Sequence, residues 1–113
     1  TDFGDFTLSK AYDLMCTVLH TSLESDTALD LYIGDIKSEF YQKNGFFGRT
    51  NFEILAEKIE IMPGRAKRII DSLLGKQNEV LEMINCSFLN EGTKHKYIYA
   101  YLDKIKRFDP TAY

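Results

Sequence analysis

The strongest constraint on the fold is the spacing of apolar residues after residue 50. There they recur at i, i+3, i+4 and i+7, a pattern that places side chains on one face of an α-helix. The first face consists of Phe52, Leu55, Ala56 and Ile59. A second face, expected to point inward, consists of Ala66, Ile69, Ile70, Leu73 and Leu74. The pattern predicts two successive amphipathic helices.

Residues that start and stop helices divide this region into four predicted helices. Thr50 with Glu53 matches a capping box, so the first helix is expected to begin at Thr50. Pro63 suits the first turn of the second helix, because an amide there would lack a partner, and Gly75 is expected to end that helix. A third helix is predicted from about Asn78 to Ser87, with inward residues Val80, Leu81 and Ile84.

The fourth predicted helix is capped by Asn90 and ended by Asp109-Pro110. Its buried side is expected to hold Ile98, Tyr101, Leu102, Ile105 and Phe108. Its solvent-facing residues are expected to be Lys94, Lys96, Lys104, Lys106 and Arg107. On the second helix, the outward positions are Arg65, Lys67, Arg68 and Asp71.

The first 49 residues favour strands and loops. Residues 1–8 place a Gly-Asp turn signal between aromatic and β-branched residues and predict a hairpin, and residues 27–33 predict a short strand. The ring-rich segment 40–48 is expected to be a loop or an irregular strand that packs on the helices. The predicted fold class is therefore α+β, mostly α, in one domain or fragment over 1–113, divided into a strand and loop segment (1–49) and a helical subdomain (50–108).

Composition limits the classes of partner. The net charge is −3, and residues 1–49 contain 8 acidic and 4 basic side chains, whereas residues 50–113 contain 9 and 10. Neither half is basic enough to make a direct nucleic-acid partner the expectation. Cys16 and Cys86 lack zinc-ligand spacing and are expected to be reduced thiols, although one disulfide between them is an alternative.

The sequence also indicates a location. No apolar run reaches the roughly 18 residues of a membrane span, and residues 1–5 lack the features of a signal peptide. We therefore expect a cytoplasmic protein without a membrane partner. The chain begins with Thr1 rather than Met, which predicts a processed or excised piece.

A complete catalytic constellation is not found in the sequence. Asp2-Phe3-Gly4 spells the metal-binding tripeptide of protein kinases, but three residues recur by chance and a turn explains them. No Asp is followed five positions later by Asn, and no glycine-rich phosphate loop is present. His20 and His95 are 75 residues apart, with nothing to nominate a triad.

One segment is similar to a helix-turn-helix. Residues 55–70 combine a small Ala56 in a first helix, a short turn and a basic second helix. Glu60 stands at the turn position that usually holds glycine, because the turn favours a positive φ there. A DNA-binding domain is therefore an alternative hypothesis, and two packed helices with a solvated basic face explain the same pattern. A non-enzymatic helical protein-interaction module is a third hypothesis.

Four motifs along the chain resemble the HipA family, the serine/threonine kinase toxins of bacterial type II toxin–antitoxin systems. Residues 8–14, Leu-Ser-Lys-Ala-Tyr-Asp-Leu, are similar to the family's Leu-Ser-Pro-Ala-Tyr-Asp-Leu, with Lys10 at the usual proline. Residues 26–29, Asp-Thr-Ala-Leu, resemble the stretch that follows, and Arg49-Thr50-Asn51-Phe52 resembles the family's helix-opening basic-x-x-Phe. Residues 85–89, Asn-Cys-Ser-Phe-Leu, followed by Lys94 and Tyr97, resemble its closing pattern.

The resemblance implies a kinase-like fold in two lobes, of which this chain would be the helical C-terminal end of the larger lobe. It implies that Asp13 binds the magnesium of Mg-ATP, a cation that prefers hard carboxylate oxygen; a structural Asx-turn role for Asp13 is the alternative. The intact enzyme would transfer phosphate to a Ser or Thr of a protein substrate and would have an antitoxin partner. The 113 residues alone are expected to be inactive, since the catalytic loop and the ATP-binding loop are not among them.

Overall fold

The protein is mostly helical, as expected. The structure, a computed structural model, describes residues 9–12, 14–21, 27, 31 and 38–109. A short 3₁₀ helix, Thr17–Leu19, precedes five α-helices: α1 (Glu39–Asn44), α2 (Arg49–Lys58), α3 (Pro63–Leu74), α4 (Gln77–Cys86) and α5 (Glu91–Lys106). The four helices predicted after residue 49 are confirmed. No strand occurs within the described ranges.

The predictions for the first 49 residues are partly untested and partly wrong. The predicted hairpin over 1–8 lies outside the described residues, as does the predicted strand over 27–33 apart from Thr27 and Leu31, which are in bends. The prediction of a loop or strand over 40–48 is wrong for its first half, which belongs to α1. The Ser38 Oγ accepts a hydrogen bond from the Tyr41 amide at 3.2 Å, and Gly45 ends the helix with a φ of 77°.

Asn51 joins α1 to the start of α2. It is 0 % exposed, its Nδ2 donates to the Ser38 Oγ at 2.6 Å, and its Oδ1 accepts from the Gly48 amide at 3.0 Å. The predicted capping box is therefore wrong in its residues, because α2 begins at Arg49 with Gly48 as its cap rather than at Thr50. An amide side chain at the third helical position reaches back to the cap and to the preceding helix at once.

The helices pack as two pairs. Between α2 and α3 the small core contains Ala56, Ala66 and Ile70, and α4 packs on α5 with Ile84 buried. The pairs meet where α2 begins and α5 ends, with the rings of Phe52 and Phe108 5.1 Å apart between centroids. The start of α2 therefore sets the position of the last helix as well as that of the first.

Several predicted exposures are wrong, because a neighbouring helix covers a different line of side chains. Ile69 and Leu73 were expected to be inward, yet they are 45 % and 64 % exposed, since α2 covers only the line of α3 that contains Ala66 and Ile70.

Two cations that were expected to be solvated are instead largely buried. The Lys94 side chain is 14 % exposed and its Nζ pairs with Glu91 at 3.0 Å, an interaction that lowers the pKa of Glu91. Arg107 is 16 % exposed, pairs with Asp103 at 2.7 Å and lies 4.5 Å from the Phe46 ring centroid. Long cationic side chains cover apolar surface with their stems while their charged ends find a partner.

We predict that Asn51→Ala lowers the free energy of unfolding by about 1 to 3 kcal/mol, because the buried Gly48 amide loses its acceptor. Urea unfolding followed by circular dichroism measures the change. The matched control is Asn78→Ala in α4, an exposed position where a change within about 0.5 kcal/mol is expected. Equal losses in the two variants would contradict the role assigned to Asn51.

Candidate functional site

The metal ligand proposed from the sequence, Asp13, lies outside the described residues. Among the residues that are described, no group of three or more His, Cys, Asp or Glu side chains is placed to hold a metal ion. His20 and His95 are both exposed. Cys16 is half-buried and Cys86 is exposed, and the two cysteines are not joined by a disulfide in this structure.

Residues 49–74 form a helix corner, which consists of α2, the turn Ile59–Met62 and α3. The turn is closed by backbone hydrogen bonds: the Glu60 amide donates to the Glu57 carbonyl at 3.0 Å, and the Ile61 amide donates to the Ala56 carbonyl at 2.8 Å. Pro63 occupies the first turn of α3, as predicted. The chain thus changes direction between two packed helices within four residues.

The backbone strain of this turn is located at Glu60. Its φ is 60°, and no other non-glycine residue in the described part of the chain has a positive φ. The prediction that this position requires a positive φ is confirmed. For an L-residue with a Cβ this conformation costs roughly 1 kcal/mol or more, and such a cost persists only where the surrounding structure enforces it. The packing of α2 against α3 therefore determines the turn at the expense of local backbone energy.

An ion pair joins α2 to α3 at the end of the helix corner that is opposite the turn. The Arg49 guanidinium bonds to Glu53 within α2 at 2.9 Å and to Asp71 on α3 at 2.9 Å, while its own side chain is only 17 % exposed. The hydrogen bond to Glu53, followed in size by the hydrogen bond to Asp71, raises the pKa of Arg49 above its ordinary value. Arg49 therefore stays positively charged in this ion pair. Sequence spacing identifies the Glu53 contact, but it gives no signal for the contact with Asp71, 22 positions away.

The outward face of α3 is basic. Arg65, Lys67 and Arg68 are all exposed, as predicted, and no acidic residue occurs from residue 61 to residue 70. Arg65, Arg68 and Ser72 follow one another at i, i+3 and i+7 and so share a face of the helix. Within the part of the chain that the structure describes, neither arginine side chain has a hydrogen-bonded or ionic partner.

A shallow groove lies between the 3₁₀ helix and α5. Its volume is about 510 Å³, and its lining includes Val18, Leu19, His95 and Tyr99. Burial raises the pKa of the Tyr97 phenol, and the Cys16 thiol lies close enough to its hydroxyl to raise that pKa further. Nothing in the spacing of the sequence predicted this contact, because it joins residues about 80 positions apart in an irregular segment and a helix.

Comparison of the chain with protein-family models, with curated proteins and with solved structures found no match. None of the described helices is both long enough and apolar enough to cross a membrane.

We expect Glu60→Gly to raise the free energy of unfolding by about 0.5 to 1 kcal/mol, because glycine adopts a positive φ without a Cβ clash. Glu60→Ala is the matched control, since it removes the same charge and keeps the Cβ. Thermal and urea unfolding of both variants measure the difference. A gain for alanine as large as that for glycine would show that charge, rather than backbone strain, is responsible.

Burial raises the pKa of Tyr97, with further contributions from the charge and the hydrogen bond of Cys16, and burial also raises the pKa of Tyr101. The folded state therefore favours the neutral phenols. Their contribution to stability is fully present below the ordinary pKa of 10.0 and is lost as the pH rises through the folded values.

Unfolding experiments across this alkaline range should consequently show stability falling above a pH of about 10. In the variant Tyr97→Phe/Tyr101→Phe we expect a smaller fall. Tyr99→Phe, at a position that is 77 % exposed, is the control and should keep the fall of the parent protein. An unchanged alkaline fall in the double variant would refute this assignment.

Proposed function

We propose that this chain is the C-terminal helical part of the larger lobe of a HipA-like protein serine/threonine kinase. In the intact enzyme the reaction is transfer of the γ-phosphate of Mg-ATP to a Ser or Thr of a protein substrate. The proposal takes its activity from the family resemblance of the four sequence motifs, and the described structure supports it in two respects.

The first support is the position of the motifs in the fold. The segment Arg49-Thr50-Asn51-Phe52, which resembles the helix-opening motif of the family, coincides with the first residues of α2. Within it, Arg49 braces α3 and Asn51 anchors α1. The closing motif joins α4 to α5, and its lysine, Lys94, is among the less exposed cations. Motif residues that hold the helices in place are what a family fold would require of them.

The second support, and the observation that carries the proposal, is the exposed apolar surface of the helices. Large apolar side chains are exposed along α3 and α4 and at the turn that follows α4. They include Ile69 (45 %), Leu73 (64 %), Met83 (72 %) and the fully exposed Phe88, and Met62 (76 %) is exposed in the turn before α3. Phe88 belongs to the motif that resembles the closing pattern of the family. Side chains of this kind are normally covered, and the remainder of a kinase lobe would cover them.

Within that enzyme the described helices would have a supporting role. Asp13 is the residue of this chain that would bind magnesium, through the hard carboxylate oxygen that this cation prefers. Phosphoryl transfer depends mainly on the positioning of phosphates and metal, so helices that hold the lobe rigid contribute indirectly. We assign no catalytic residue to the helices α1 to α5.

The gene region upstream of Thr1 provides the first test. The proposal requires an Asp-x-x-x-x-Asn segment about 20 residues before Asp13, because that segment supplies the base and a metal ligand. A stop codon or an unrelated sequence at that place would refute the proposal.

The second test is phosphorylation by the full-length product with Mg-ATP. We expect Asp13→Ala to lower the rate at least about 100-fold, because a metal ligand for the phosphates is lost. Asp2→Ala, in the tripeptide interpreted as a turn, is the matched control and should retain activity. Full activity of the Asp13 variant would contradict the assignment, and the 113-residue chain by itself should show no turnover.

A further inference from the structure

We propose that the helix corner binds duplex DNA, with the basic face of α3 in the major groove. This inference is independent of the kinase proposal. It rests on the geometry of residues 49–74 and on the charges that α3 presents to solvent.

The turn between α2 and α3 has the left-handed residue that a helix-turn-helix requires. In a helix-turn-helix the second helix must leave the first at a wide angle after three or four residues, which requires a left-handed residue in the turn. Glu60 adopts this conformation with a φ of 60° although it has a Cβ. The presence of glutamate where a helix-turn-helix usually has glycine therefore does not prevent this turn from forming.

The packing of α2 against α3 holds α3 in a fixed position. Ala56 on α2 and Ala66 on α3 are 7 % and 6 % exposed, and small residues at these places let the two helices approach closely. The Arg49–Asp71 ion pair holds α3 against α2 from the far end. A helix fixed in this way can project side chains into a groove without a further loss of backbone conformational entropy.

The exposed face of α3 has the chemistry that a major groove selects. Arg65 and Arg68 provide planar forks of N–H donors that match guanine edges or phosphates, and Lys67, about 100° around the helix from Arg68, is a further exposed cation. The nearest acidic groups at the two ends of this face are Glu60 in the turn and Asp71. Asp71 is paired with Arg49, which is shared with Glu53. α3 has 12 residues and is about 18 Å long, and the diameter of a helix with its side chains, about 10 to 12 Å, fits a groove about 12 Å wide.

The number of cations sets the affinity to expect. Three phosphate contacts give a slope of about −2.7 in a plot of log K against log salt, equivalent to a loss of about 40-fold between 50 and 200 mM. The corner should therefore bind weakly at physiological salt and measurably at low salt. A second cation-bearing element or a second copy would be needed for tight binding.

The experiment is a fluorescence-anisotropy titration of the 113-residue chain against a labelled 20-base-pair DNA duplex at several salt concentrations. We expect Arg65→Ala/Arg68→Ala to weaken binding at least about tenfold at low salt and to reduce the slope to about −0.9. Both sites are exposed helical positions at which alanine is favourable, so the variant should fold, and circular dichroism verifies this.

The matched control is Lys43→Ala/Lys96→Ala, which removes the same charge from exposed positions on α1 and α5. It should bind DNA within about twofold of the parent chain, a change that amounts to less than one lost contact. Duplex RNA of the same sequence is a second control, since its deep, narrow major groove does not admit a helix, and it should bind more weakly. Absence of binding at 20 mM salt, equal losses in the two double variants, or equal affinity for the two duplexes would each overturn the proposal.

Discussion

The start of α2 is the point on which the described structure depends. Asn51 is fully buried there, and it satisfies both the Ser38 hydroxyl of the preceding helix cap and the Gly48 amide. A buried amide without hydrogen-bond partners would destabilise the fold by as much free energy as several apolar contacts contribute. Asn51 therefore fits only where both of its partners are in place. Gly48 must also remain small, because an added Cβ would lie 2.8 Å from the Arg107 carbonyl oxygen at the end of α5. One short segment therefore positions three helices.

The strain at Glu60 is a consequence of this arrangement. Once α2 is fixed at its start by Asn51 and tied to α3 by Arg49, the residues between the two helices have one short path. That path requires a left-handed residue, and tertiary packing supplies the free energy that the local preference of glutamate does not. The turn is therefore a property of the assembled corner more than of its own sequence.

The two proposals concern different surfaces. The kinase proposal relies on the apolar side chains exposed along α3, α4 and the following turn, exemplified by Phe88, together with motifs whose residues support the fold. The DNA proposal relies on the polar face of α3 that contains Arg65 and Arg68. Leu73 lies about 140° around α3 from Arg68 but only about 80° from Arg65, so the two surfaces adjoin at Arg65.

The sequence by itself determined the helices, because their signals are local. Pro63 at the start of α3, Asn90 as the cap of α5 and the apolar spacing of α2 act within one or two turns, and all three were predicted. The short helix α1 was missed, although Ser38 and Gly45 mark its ends, because its rings resemble those of a strand or loop.

Only the tertiary structure decided which charges are paired and which apolar residues are covered. Arg49 meets Asp71, Arg107 covers Phe46, and Leu73 is left exposed because α2 covers a neighbouring line of α3. These outcomes depend on how two helices cross, and helix crossing is set by many side chains together. Periodicity along one helix identifies its apolar side, but it contains no information about which part of that side a partner covers.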